Sequence, residues 1–191
     1  MNYILIFISA AFVNNIVLSQ FLGIESLLGE SKKIQTTIKI SAAIAFVMII
    51  VTIITHIIQK YILAPFKLEF LQTVVFILII VSLAQLLEIT LKKFVTTIYE
   101  EIENFLPLII TNSVILGVII IVGQNNFSLL ESFVFSTSTA FGFGLTLVIF
   151  AAIRNQLSMV NLPKAMEGAP ILLLTAGLLA MAFMGFIGIV K

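Results

Sequence analysis

The chain has 191 residues, 61% of them hydrophobic and only 10% charged, with no cysteine or tryptophan and a mean hydropathy of +1.24. No water-soluble globular surface can be built from that composition, which excludes a soluble enzyme or soluble binding module and implies an integral membrane protein. The formal net charge of +1 gives no footing for a nucleic-acid partner.

Six apolar runs are long enough to cross a bilayer as helices of about 20 residues, near 3–24, 37–59, 70–91, 105–124, 129–153 and 169–190. Apolar residues run continuously within them and do not alternate, so the spans are helical and not strands of a barrel. The first run follows only Met1 and Asn2, with no basic region and no small-residue cleavage site, and reads as a retained span. It is interrupted in "NNIVLSQFLG", 14–23, by Asn14 and Asn15, and an ionisable Glu25 follows before any loop begins. The second run carries the single histidine, His56, close to Lys60. One imidazole makes neither a metal site nor a triad, so an ordinary interfacial place is expected. At the end of the third run Glu88 precedes Lys92 by four residues, the spacing of a helical ion pair.

Glu100, Glu101 and Glu103 then form an acidic stretch, read as a solvated face or, more sharply, as a docking point for a peripheral subunit. The fourth run contains "TNSVILG", 111–117, and the fifth contains "STSTAFGFG", 136–144. The latter lacks Gly-x-Gly-x-x-Gly spacing and a preceding strand, so its small residues, like Ala176 and Ala180 in the sixth run, are expected to let helices approach closely. Pro65, Pro107, Pro163 and Pro170 mark helix boundaries.

Basic residues set the orientation. Lys32, Lys33, Lys39, Lys92, Lys93, Arg154 and Lys164 follow the odd-numbered spans, against Lys60, Lys67 and Lys191 on the other side, which predicts both termini outside. Six spans within one membrane domain, 1–191, divide into halves of about 1–95 and 96–191. The first span of each half has an amide-interrupted run followed by Leu-Gly. Three helices per half makes the repeat an inverted one. Asn14, Asn15 and Asn112 compete with helical backbone bonding, and Gly23 and Gly117 release local geometry. The expectation is an all-α membrane protein of two inverted three-helix repeats, with helices one and four broken near the midplane. The plainer reading is that the asparagines only hydrogen-bond neighbouring helices.

"FVNNIVLSQFLG", "KYILAPFKLEFLQTVVFILIIVSLAQLLE", "FLPLIITN", "FGFGLTLVIFAAIR" and "LPKAMEGAPILLLTAGLLAMAFMGF" occur in this order along essentially the whole chain. In them the chain resembles the family of the A subunit of Rnf (Rsx) ion-translocating oxidoreductase complexes and the E subunit of the sodium-pumping NADH:quinone reductase. The resemblance implies a bacterial or archaeal cytoplasmic membrane and pairing with a paralogous six-helix subunit of the RnfE/NqrD type. It further implies a two-iron two-sulfur cluster held between the two by cysteines from the broken helices. Electrons crossing it would be coupled to pumping sodium ions or protons. Here the chain departs from its family: Glu25 and Ser113 stand at the two cysteine positions, and no other thiolate exists in the chain to replace them.

Three readings of Glu25 and Ser113 are open. The cluster is lost, or oxygen ligands hold it, or Asn14, Asn15, Glu25, Thr111, Asn112 and Ser113 gather oxygens around a hard cation or a proton. Loss of the cluster is the favoured one, and no metal site is assigned. The function implied is a membrane subunit of an Rnf-type complex. The alternatives are a non-redox secondary transporter or ion-conducting subunit, and a purely structural anchor.

Overall fold

The computed structural model describes residues 3–28, 34–94, 99–100, 103, 107–108, 111–161 and 163–186. Lys32, Lys33, Glu101 and Lys191 lie outside the described residues, as do 105–106 and 109–110 of the fourth expected span and 187–190 of the sixth.

Every regular element among the described residues is helical. Three helical stretches are long and apolar enough to cross a membrane: Ile34–Leu63, Glu69–Phe94 and Leu129–Leu157. Tyr3–Val13, Ser113–Gln124 and Ala169–Met184 are shorter apolar helices. The result is a multi-pass membrane protein.

The first expected span is not one helix. It runs as α1 (Tyr3–Ile8), a π-helical turn (Ser9–Val13), α2 (Ile16–Gln20) and α3 (Ile24–Leu28). The helical path ends where Asn14 and Asn15 leave helical geometry, and it ends again where Phe21 and Gly23 take positive φ of 56° and 79°. Next come α4 (Ile34–Ile58), prolonged by a π turn Gln59–Leu63, and α5 (Gln72–Phe94), entered through a 3-10 turn Glu69–Leu71. The second half holds α6 (Ser113–Gln124), α7 (Leu129–Leu157) and α8 (Ala169–Met184), the last with Pro170 in its first turn.

Helix α7 is the axis of the fold. Its 29 residues begin at a capping box in which Ser128 and Glu131 satisfy each other's backbone amides. Although it is rich in hydroxyls, most bond back along its own chain: Ser132 to Ser128 O, Ser138 to Val134 O and Thr146 to Gly142 O. With most of its hydroxyls bonded to its own backbone, α7 can bury two faces, against α4 and against the broken first span. Ile44, Met48 and Val51 of α4, Phe143 of α7 and Ile115 and Ile119 of α6 are buried together in the core. Leu78, Leu86 and Ile89 of α5, and Leu178 and Met181 of α8, face outward, as apolar residues do when the surrounding solvent is hydrocarbon.

The place of His56 gains detail, and the expected Glu88–Lys92 ion pair is corrected. His56 lies with Nδ1 3.2 Å from the Ser132 hydroxyl, tying α4 to α7. Lys92 has its ammonium over the Tyr99 ring, 5.8 Å from the centroid, and among the described residues forms no ion pair with Glu88. Gly117 is a correction. It lies inside the regular helix α6 and breaks nothing; the missing side chain there makes room for Leu22 and Ile16.

Candidate functional site

Both interruptions are built on an asparagine, and the two asparagines do the same job. Asn15 is the N-cap of α2, with Oδ1 accepting from the amides of Val17 (3.1 Å) and Leu18 (3.4 Å). Asn112 is the N-cap of α6, with Oδ1 accepting from the Val114 amide at 3.0 Å. Each takes an extended backbone, and each is almost completely buried. A helix that starts inside apolar surroundings leaves its first amides without water, so an N-cap acceptor is required there.

Their amide nitrogens reach in different directions. Asn15 Nδ2 lies 3.0 Å from each of Ala11 O, Gly142 O and Thr146 Oγ1, its two hydrogens shared among the three acceptors, and so fixes the first break to α7. Asn112 Nδ2 donates to Ser26 Oγ at 2.9 Å, which holds the second break against α3. Gly142 and Thr146 lie one turn apart on one face of α7, far from Asn15 in sequence. The only sequence signal for them is a glycine followed by a hydroxyl four residues later within an apolar run.

Glu25 and Ser113 meet. The Ser113 amide donates to Glu25 Oε1 at 2.8 Å, and the Ser113 hydroxyl donates to the same carboxylate, 2.9 Å from Oε1 and 3.2 Å from Oε2. The Gly23 amide in turn donates to Ser113 Oγ at 2.7 Å. Gly23 is needed there twice over, because its φ is left-handed and because a Cβ would run into Val114 and Phe143. The half-buried carboxylate thus sits at the N-terminus of α6, where unpaired amides and the helix dipole favour negative charge.

The remaining candidates lie apart from this ring. Asn14 is exposed and donates to Ser9 Oγ at 2.9 Å, while the Thr111 hydroxyl donates back to Pro107 O at 2.9 Å. No hydrogen bond among the described residues joins Asn14, Asn15 or Thr111 to Glu25.

The pieces present do not fit an iron–sulfur cluster. Such clusters are held by thiolates, with histidine in some cases, and the chain has no cysteine. The carboxylate and hydroxyl here are hard donors already engaged with each other and with two backbone amides. Serving iron would require the Ser113 hydroxyl to lose its proton beside a carboxylate. Among the described residues no group of three or more His, Asp or Glu side chains is placed to hold a metal ion.

Comparison with known proteins decides the lineage. The family described as "Rnf-Nqr subunit, membrane protein" matches residues 3–190. The chain belongs to the Rnf-Nqr family. Among its relatives is the A subunit of the Na(+)-translocating ferredoxin:NAD(+) oxidoreductase complex of Acetobacterium woodii, 48% identical over 188 residues, covering 98% of each chain. The A subunit of the ion-translocating oxidoreductase complex of Syntrophotalea carbinolica is 43% identical over 189 residues, covering 99% of this chain and 98% of the relative. That of Actinobacillus pleuropneumoniae serotype 5b is 42% identical over 190 residues, covering 100% and 98%. The Rnf-Nqr resemblance read from the sequence therefore holds along the full chain.

A second feature of this Rnf-Nqr subunit is a crevice of about 580 Å³ between the first span and the ends of α6 and α7, lined by Leu5, Ser9, Asn14, Asn125, Phe135 and Thr139 among others. Thr139 Oγ1 is the single buried side-chain polar atom among the described residues with no hydrogen-bond partner. Burying an unpaired hydroxyl is unfavourable, and valine has nearly its shape. Thr139→Val is therefore expected to leave the fold intact and to stabilise it by up to about 1 kcal/mol in denaturant unfolding.

Proposed function

We propose that this chain is an integral membrane subunit of an Rnf-type complex that couples electron transfer to translocation of sodium ions or protons. The observation carrying that reading is the match across whole chains, 48% identity over 98% of both, to a subunit whose name specifies a sodium-translocating ferredoxin:NAD(+) oxidoreductase. In this reading the chain adopts six spans as two inverted three-helix repeats in the cytoplasmic membrane, with both termini outside. It pairs there with a paralogous six-helix subunit of the RnfE/NqrD type. The Asn15 and Asn112 caps support the repeat, since each half begins a helix within apolar surroundings by the same device. Catalysis belongs to the assembly and not to this chain alone.

Affinity purification from native membranes through a tag on this chain tests the reading. The expected result is recovery of a paralogous membrane subunit together with flavin- and iron-sulfur-bearing subunits. Ferredoxin:NAD(+) electron transfer by the preparation should depend on sodium ions or on the proton gradient. Recovery of the chain alone, with ion flux in liposomes and no electron transfer, would replace it with a non-redox transporter.

A further inference from the structure

We infer that the Glu25–Ser113 ring is a hydrogen-bonded cross-link that occupies the family's cluster position, so that this chain contributes no ligand to an iron–sulfur centre. The family likeness places one thiolate on each interrupted span, and metal–sulfur bonds there would tie two distant segments together. In this chain the same two positions, 88 residues apart, are tied by a carboxylate that takes both the amide and the hydroxyl of Ser113.

Among the described residues the ring closes on itself. Ser113 Oγ accepts from Gly23 N–H and gives its own proton to Glu25, while Glu25 Oε1 receives two donors. Asn112 and Ser26 add a second bond between the same two segments, at 2.9 Å. Glutamate suits the role for reasons that serine or alanine at position 25 would not share. It is long enough to reach the start of α6 from the first turn of α3, and its carboxyl group accepts there from both the amide and the hydroxyl of Ser113. A cation on Oε1 would have to displace the Ser113 amide and hydroxyl, both of which donate to that oxygen.

Two measurements test the inference. In the isolated full-length chain, Glu25→Cys/Ser113→Cys introduces the only two thiols the molecule has. Dibromobimane, which fluoresces only when it bridges two thiols, should then give at least about tenfold more signal in the double variant than in either single variant. Thiols that react with a maleimide but do not bridge would overturn the cross-link. In the complex purified from its own membranes, iron, acid-labile sulfide and the electron-paramagnetic signal of the reduced sample should be the same for the native chain and for Glu25→Gln/Ser113→Ala. Loss of one two-iron unit and its signal in that variant would overturn the claim that no ligand comes from here. The second measurement rests on membership of an Rnf-type complex and the first does not, so failure of the complex to purify counts against the proposed function alone.

Discussion

Asn15→Leu is expected to destabilise the chain by about 3 kcal/mol, seen as a lower denaturation midpoint by circular dichroism in detergent micelles. Two contributions add, the cap and the bonds to α7. Removing an N-cap side chain costs about 1 kcal/mol, within a range of about 0.5–2. Burial carries that same loss toward roughly 1–3 kcal/mol, because the amides of Val17 and Leu18 lose their acceptor where no water replaces it. The bonds to α7 are worth less, since side-chain hydrogen bonds between membrane helices average about 0.6 kcal/mol. The cap should therefore dominate, and a graded series separates the two parts. Asn15→Ser keeps a capping oxygen but cannot span to Thr146, and should lose about half as much. Thr146→Val removes only the distant partner and should cost under about 1 kcal/mol. If Asn15→Leu and Thr146→Val cost the same, the asparagine acts as glue between helices and not as the start of one.

The same contrast separates what is legible in the residues from what is not. An amide inside an apolar run is conspicuous because it has to be satisfied where water is absent, so Asn14–Asn15 and Asn112 point to interruptions of the helical path, and Gly23 to a release of local geometry beside the first. The membrane class and helical character follow from composition and uninterrupted hydropathy in the same way. Position alone could not say what each amide bonds to. Asn15 finds its partners on α7 through Gly142 and Thr146, and no local pattern links residues more than 120 positions apart. One of the readings left open by the sequence joins the six polar residues of the two interrupted stretches in a single oxygen cage, because they share chemistry. In the fold they divide, with Glu25 and Ser113 in one ring, Asn112 capping beside it, Asn15 on α7, and Asn14 and Thr111 bonded locally. Gly117 shows the opposite error. The Leu-Gly echo of the repeat suggested two breaks, yet one glycine bends the chain while the other receives a leucine side chain from across the interface.

The small residues of "AFGFG" make the second large prediction, because the two glycines differ in what lies opposite. At Gly142 a Cβ would fall 2.6 Å from the carbonyl oxygen and 2.9 Å from the Cα of Ala11, which are backbone atoms of the interrupted span and cannot turn aside. At Gly144 a Cβ would sit 3.7 Å from Ser41, an ordinary contact. Gly144→Ala should thus be neutral or stabilising by up to about 1 kcal/mol, the usual gain of alanine over glycine inside a helix. Gly142→Ala has that same gain but must push the first span away from α7, an overpacking cost of about 1–3 kcal/mol or more. The displacement also draws Asn15 from Gly142 O and Thr146, so the loss should approach that of Asn15→Leu and should not add fully to it in the double variant. Denaturant midpoints of five proteins, native, Gly142→Ala, Gly144→Ala, Asn15→Leu and Gly142→Ala/Asn15→Leu, decide the matter. Equal tolerance of alanine at 142 and 144 would mean that the first span does not lie against α7 at Ala11, and the anchoring of its break through Asn15 would fall with it.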